Sequence, residues 1–302
     1  MHQYPKRILS IQDQISTYKN AGMIIPSDSE AEMVLTSIGY YRLRGYSSHL
    51  YNNCTKQYQP GTSLTDILTL YRFDTELSHI LFSMTCSIEV ALRARLIEAL
   101  LIHNDALILF DSTVFDDKKR FWQNIGTLSS EVSRSNDVFI KHNFRNHEGE
   151  IPLWAAVEVM SFGTLSKMIK NLKTGSQSAY SILANHYKYT TQNGNSVKPS
   201  KDYMSSWIQA VSILRNICAH NSRIYNRSIS TTPTILNADR VTPVPRFTGL
   251  YQIIMAMKYI RPTDAIWNEF KNDIENLFQK YQGCFDLNRM NFPPDWRNHF
   301  II

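Results

Sequence analysis

The chain has 302 residues, of which 43% are hydrophobic, 12% aromatic and 19% charged. That is enough apolar material for one large domain or two modest ones, and it excludes a globally disordered chain. With 32 Lys and Arg against 26 Asp and Glu, the net charge is +6; such a surplus suits a polyanionic partner such as nucleic acid, and equally an ordinary solvated surface.

Glycine and proline number only 11 each, which favours helices over sheets. The four cysteines, Cys54, Cys86, Cys218 and Cys284, form no C-x-x-C pair, so a reduced, cytoplasmic chain without a zinc ribbon or disulfide scaffold is expected. Met1 to Lys6 lack the apolar run of a signal peptide. No stretch reaches the roughly 18 uninterrupted apolar residues of a membrane span, so no membrane partner is expected.

In chain order, residues 6–21 read as a short helix. Ser27, three residues before Glu30, offers a capping box for a second helix. That helix carries Met33, Val34, Ile38 and Tyr41 at core spacing and ends near Gly39 or Gly45. Residues 51–63 are polar, with a turn at Pro60-Gly61. Leu64 to Leu101 is the longest periodic stretch: Ile67, Leu70, Phe73 (or Asp74), Leu77, Leu81, Met84, Ile88, Leu92 and Leu96 keep the rhythm of threes and fours. It reads as one long central helix or two with a kink. Glu89, Arg93 and Arg95 stand among its core-type residues.

Residues 103–150 show little pattern, and Asn143 to Gly149 read as a loop. Pro152 opens a helix over 153–172 with a break at Gly163; Trp154 and Met160 to Phe162 read as core. Glu158, amid those apolar residues, calls for a cationic partner such as Arg215 or Arg93. A short helix between loops fits 173–200, and one helix fits Tyr203 to Asn226. Residues 228–250, with three prolines, read as an ordered loop with room for a hairpin. Helices follow over 253–260 and 263–282, and then an extended tail. The sum is an all-α chain with long loops: an N-terminal helical subdomain over 1–60 and a larger helical domain over 61–290.

The segment from Leu214 to Arg227 concentrates three arginines, a histidine and three asparagines in that last long helix. On a regular helix Asn216, His220 and Arg223 share a face, while Arg215 lies about 140° around from His220. Either the guanidinium reaches around, or a helix distortion brings the two together, or a second copy supplies the partner group. An imidazole can move a proton at a phosphodiester, and an arginine fork can hold the phosphate and the charge that builds in the transition state. RNA supplies its own 2′-hydroxyl as nucleophile, so neither metal nor cofactor is expected. The bare R-x-x-x-x-H spacing also fits a plain ion pair from Arg215 to Glu89 or Glu158.

Four blocks together resemble the abortive-infection (Abi) proteins of the AbiD/AbiF group. Arg215 to Arg227 resembles their R-N-x-x-A-H-x-x-R-x-[WY]-N-R signature. Ile38 to Tyr46 resembles I-G-Y-Y-R-L-x-G-Y, and Phe73 to Arg93 resembles F-D-x-x-L…I-E-V-A-L-R. Pro152 to Ser166 resembles P-x-W…E-x-M-S-F-G-x-L-S. The resemblance implies a HEPN-type helical domain and a metal-independent endoribonuclease of phage defence that works as a homodimer. It implies Arg215, Asn216 and His220 as the catalytic motif. Arg223, Tyr225, Asn226 and Arg227 are then expected to bind RNA, and Glu89, Arg93 and Glu158 to support the site. Arg42 and Arg44, interleaved with Tyr40, Tyr41 and Tyr46, are candidates for stacking bases and holding phosphates. The alternative reading is an RNA-binding module that holds a structured non-coding RNA, such as an antitoxin, without cutting it.

Overall fold

A computed structural model describes residues 8–302. Thirteen α-helices and two minimal hairpins make up these residues, so the chain is all-α. The central element is α4, Leu64–Leu100. Ser63 caps it by accepting from the Asp66 amide at 3.1 Å, and neither glycine nor proline interrupts the next 37 residues. It therefore runs unbroken for roughly 55 Å. Its buried residues recur at threes and fours from Leu64 to Leu100, so one face is sealed along the whole length. Asp74 and Glu89 lie within that face.

Three short helices precede it: α1 (Ile11–Asn20), α2 (Asp28–Ser37) and α3 (Tyr40–Ser47). The N-terminal start expected at residue 6 lies outside the described residues. Ser27 caps α2, accepting from the Glu30 amide at 3.3 Å, but the reciprocal bond to the Glu30 side chain that would complete the expected capping box is not formed. The chain breaks at Gly39, whose φ of +89° suits glycine alone. Met33, on the face of α2 opposite Ala31 and Leu35, and Tyr41, at the start of α3, are exposed, contrary to their core-like spacing. A hairpin pairs β1 (Tyr51–Asn52) with β2 (Gln57–Tyr58) before the Pro60-Gly61 turn. Ile15, Tyr18, Leu35 and Leu43 from this region join the same continuous core as α4.

Residues 103–150 contain two helices that their pattern did not announce, α5 (Lys118–Arg134) and α6 (Val138–Asn146). Next come α7 (Leu153–Val159) and α8 (Phe162–Asn171). They part at Met160-Ser161 rather than at Gly163, because the Ser161 hydroxyl caps the Thr164 amide at 3.2 Å. Trp154, expected in the core, is 55% exposed, whereas Met160 and Phe162 are buried. Then come α9 (Ala179–Asn185) and a hairpin of β3 (Tyr189–Thr190) with β4 (Ser196–Val197).

The second central helix, α10 (Lys201–Ala219), packs on α4, α8 and α11 (Leu250–Tyr259). Trp207 anchors it: the ring is fully buried, and its N–H donates to the Thr234 carbonyl at 2.6 Å. The 228–249 stretch is loop with a single 3-10 turn and no hairpin. After α12 (Asp264–Lys280) the tail is not extended but turns back through α13 (Trp296–His299). There Phe292, Trp296 and Phe300 pack against Phe278 and Trp267. Each buried ring of this kind stabilises the fold by roughly 1.5–3 kcal/mol. No described helix is long and apolar enough to cross a membrane.

Candidate functional site

The segment after Arg215 is not one helix through Asn226. It ends at Ala219 because Asn221 adopts a left-handed φ of 47°. The Ser222 amide donates to the Ile217 carbonyl at 2.9 Å, and the Asn221 amide to the Cys218 carbonyl at 2.9 Å. These are the paired bonds of a Schellman stop, with asparagine at the left-handed position. His220 is therefore the C-cap of α10, and its ring is exposed without a hydrogen-bond partner among the described residues. Asn216, one turn earlier, is also exposed; its carbonyl accepts from the His220 amide at 3.0 Å. Arg223 lies beyond the helix end and does not share their face.

Arg215 turns the other way, toward α4. Its Nε stands 3.4 Å from Glu89 Oε2, too poorly aligned for a hydrogen bond, and the guanidinium lies over the Phe82 ring at 5.9 Å. Glu89 is buried and also holds Arg93, whose Nη2 is 2.6 Å from Oε1 and donates to the Met160 carbonyl at 2.8 Å. One carboxylate thus faces two guanidiniums. That leaves the cluster cationic, and both terminal nitrogens of Arg215 are without a partner among the described residues. The Arg215 side chain is 34% exposed, so these nitrogens can be reached from solvent. Cys86, one turn before Glu89 on α4, is also beside Arg215; burial pushes its thiol up.

Glu158 does not belong to this cluster. It is exposed on α7 and makes no ion pair with a described residue, so no buried carboxylate there needs a cation. Arg215 and His220 are joined by neither hydrogen bond nor ion pair within the chain. Nor do the side chains of Asn216 and His220 bond to each other.

The turn after His220 is held from below by a residue that the sequence reading passed over as a core position. Asp74 is buried on α4. It accepts from the Tyr46 hydroxyl at 2.7 Å, the Tyr225 amide at 2.6 Å and the Ile224 amide at 3.1 Å. Burial pushes its carboxyl above the usual range, against the pull of the Tyr46 and backbone hydrogen bonds and of Arg223. Through Tyr46, Asp74 ties α3 to the loop after α10.

The arginines of these two segments gather here. Arg42 donates to the Asn221 carbonyl. Arg223 donates to the Tyr225 and Asn226 carbonyls at 3.0 and 3.3 Å, and Arg227 to the Arg223 carbonyl at 3.3 Å. Arg44 sits 4.9 Å over the Tyr51 ring and 3.1 Å from the Tyr40 hydroxyl. All four are partly exposed. Burial, followed by the charges of Arg289 and Arg223, lowers the pKa of His49 beside them. Tyr225 is buried, with its ring against Phe73 and His49 and its hydroxyl accepting from the Asp286 amide, so it is not placed to touch RNA. Asn226 is half-exposed at a left-handed φ of 53°.

A profile of the family described as Abi-like protein matches residues 33–226. The chain belongs to the Abi-like family. The match runs from the middle of α2 into the loop after α10, and so contains α3, Asp74, Glu89, Arg93, Arg215 and His220. Membership associates this Abi-like protein with abortive infection. No curated protein and no solved structure gives a significant match. The α11–α13 region lies outside the matched residues.

Proposed function

We propose that this Abi-like protein is an abortive-infection effector that cuts RNA, a HEPN-type endoribonuclease of the AbiD/AbiF group acting in the cytoplasm. The observation that carries the reading is an exposed His220 five residues after an Arg215 whose terminal nitrogens make no bond to a described residue while buried Glu89 faces its Nε. In the reaction, the RNA 2′-oxygen attacks the adjacent phosphorus. The bond to the 5′-oxygen breaks, leaving a 2′,3′-cyclic phosphate and a 5′-hydroxyl. A proton leaves the 2′-hydroxyl and a proton must reach the departing 5′-oxygen; His220 handles one of these transfers. Arg215 presents its two terminal N–H groups to the phosphate oxygens and stabilises the charge that develops there. Asn216, one turn from the imidazole, orients the phosphate or the ring. The positions of Arg42, Arg44, Arg223 and Arg227 allow them to hold neighbouring phosphates.

Arg215 and His220 leave α10 in different directions, which favours a homodimer in which two copies of the motif face one RNA. The second copy's imidazole then serves the other proton transfer. Because the nucleophile belongs to the substrate, neither metal nor cofactor enters the scheme.

Incubation of purified protein with RNA in EDTA tests this. Wild type should cut, while His220→Ala and Arg215→Ala should not; equal cutting by all three would remove these residues from the chemistry. A second reading, an RNA-binding module that holds a non-coding RNA without cutting it, is favoured by the cationic surroundings of His49. It predicts co-purified RNA that is released by high salt, with no cleavage by wild type.

A further inference from the structure

A small polar pocket opens beside the turn that follows His220. It occupies about 200 Å³ between α3, α4 and that turn. A water takes roughly 30 Å³ of liquid, and pockets for drug-sized ligands start at roughly 300 Å³. This one therefore suits a single ring system and not a long ligand. Asn221 and Ser222 form one wall and directly follow the imidazole in the chain, so the pocket begins within two residues of the proton-transfer group.

The lining has a specific chemical character. Tyr46 and Tyr71 meet edge to face at 5.5 Å and give it aromatic surface. The Asp74 carboxylate at its base accepts from Tyr46, Ile224 and Tyr225, which leaves it little hydrogen-bonding capacity for a ligand. The Asn221 side-chain amide and the Ser222 hydroxyl have no hydrogen-bond partner among the described residues. The Thr75 hydroxyl donates to the Tyr71 carbonyl at 2.9 Å and keeps its lone pairs free. Arg42 contributes the one cation and has further N–H groups beyond the one on the Asn221 carbonyl. Neutral donors and acceptors, aromatic walls and a single guanidinium match the edge, the face and the adjoining phosphate of one nucleotide. Single-stranded RNA is read in this manner, by splaying a base out of its stack.

We infer that the pocket formed by Arg42, Tyr71, Thr75, Asn221 and Ser222 holds the unpaired nucleobase next to the cut and gives the enzyme its base preference. The inference rests on the RNA-cutting reading for its location, but base binding stands on its own. Asn221 has a second duty as the left-handed stop of α10. Asn221→Gly removes the amide while keeping a residue that accepts φ of 47°.

The test measures binding, not cleavage, with the full chain and 2′-O-methyl octamers that lack the attacking hydroxyl. Three contain only adenine, cytosine or uracil, and one alternates guanine with uracil. Wild type should bind one of them roughly tenfold more tightly than the weakest, the discrimination that one good set of base-edge bonds supplies. Asn221→Gly and Ser222→Ala should shrink that spread to under threefold. Arg42→Ala should weaken all four alike and lower the salt slope by about one, and His220→Ala should leave the spread intact. Equal affinity of wild type for the four octamers overturns the inference, as does an unchanged spread in both Asn221→Gly and Ser222→Ala. A protein that discriminates bases but cuts no RNA supports the pocket and sinks only the ribonuclease reading.

Discussion

Replacing Glu89 by glutamine isolates the electrostatic role of the cluster, because the shape stays the same and only the charge goes. Glu89 is 4% exposed and Arg93 is 17% exposed, so their 2.6 Å contact is close to a buried ion pair. Breaking such a pair from one side costs about 3–5 kcal/mol, mostly from the charge left behind. The glutamine oxygen can still accept from Arg93, and the Met160 carbonyl still does, which brings the cost to about 2–3 kcal/mol. The Arg215 contact adds less than about 1 kcal/mol, being longer and one-third exposed. For a chain of this size that corresponds to a fall in Tm of roughly 3–5 °C. Without the carboxylate, Arg93 and Arg215 also repel each other, so Arg215 should leave its place and RNA cutting should drop at least tenfold. A thermal scan and a cleavage assay on the same preparation read both effects. Glu158→Gln, on the exposed face of α7, is the control and should stay within about 0.5 kcal/mol of wild type. A Glu89→Gln protein with Tm within 2 °C of wild type and normal cutting would refute the claim that Glu89 sets Arg215.

Asp74→Ala strands the Ile224 and Tyr225 amides and the Tyr46 hydroxyl, and should cost about 3–5 kcal/mol in denaturant unfolding; a loss under 1 kcal/mol would show that the turn holds itself. Because burial raises the Asp74 pKa, charging it costs the folded state: its contribution to stability falls as pH rises from the ordinary carboxylate range through the raised value. Wild-type stability relative to the non-titrating Asp74→Asn should therefore decline with pH over that window, and a rise would contradict the assignment. His220→Ala, at an exposed position, should leave Tm within about 2 °C while cutting falls by roughly 10²–10⁴-fold. Arg215→Lys keeps the charge but loses the fork, and should recover less than a tenth of wild-type cutting; full activity would mean that a point charge suffices.

The fold class and the long central helix were legible because α4 repeats its apolar residues without a breaker for ten turns. Gly39 was one of the two glycines expected to end the second helix, but the stop at Asn221 was not legible, since it depends on one asparagine accepting a positive φ, which periodicity does not encode. Helix α5 does carry the helical rhythm, in Phe121, Ile125, Leu128 and Val132 on its buried face, but amid mostly polar residues and with exposed Trp122 out of phase. In the site, Glu89, Arg93 and Arg215 stood out as charges at core-like positions, and α4 and α10 bring them together. Glu158 looked similar in sequence, but the short α7 turns it to solvent. Asp74 was visible as a polar residue in a core phase and as the aspartate of the F-D-x-x-L block, but not as the anchor of a distant turn. Its partners lie 28 residues before it and about 150 after it, a separation that no local pattern spans.

The chemistry of the cut ends bears most directly on the central claim. Mass spectrometry of a short RNA digested in EDTA should show fragments ending in a 2′,3′-cyclic phosphate, followed by fragments beginning with a 5′-hydroxyl. The same RNA with a 2′-deoxy sugar at the cut should stay whole. Fragments ending in a 3′-hydroxyl, cutting of the 2′-deoxy RNA, or identical products from His220→Ala would contradict an attack by the RNA's own hydroxyl assisted by His220.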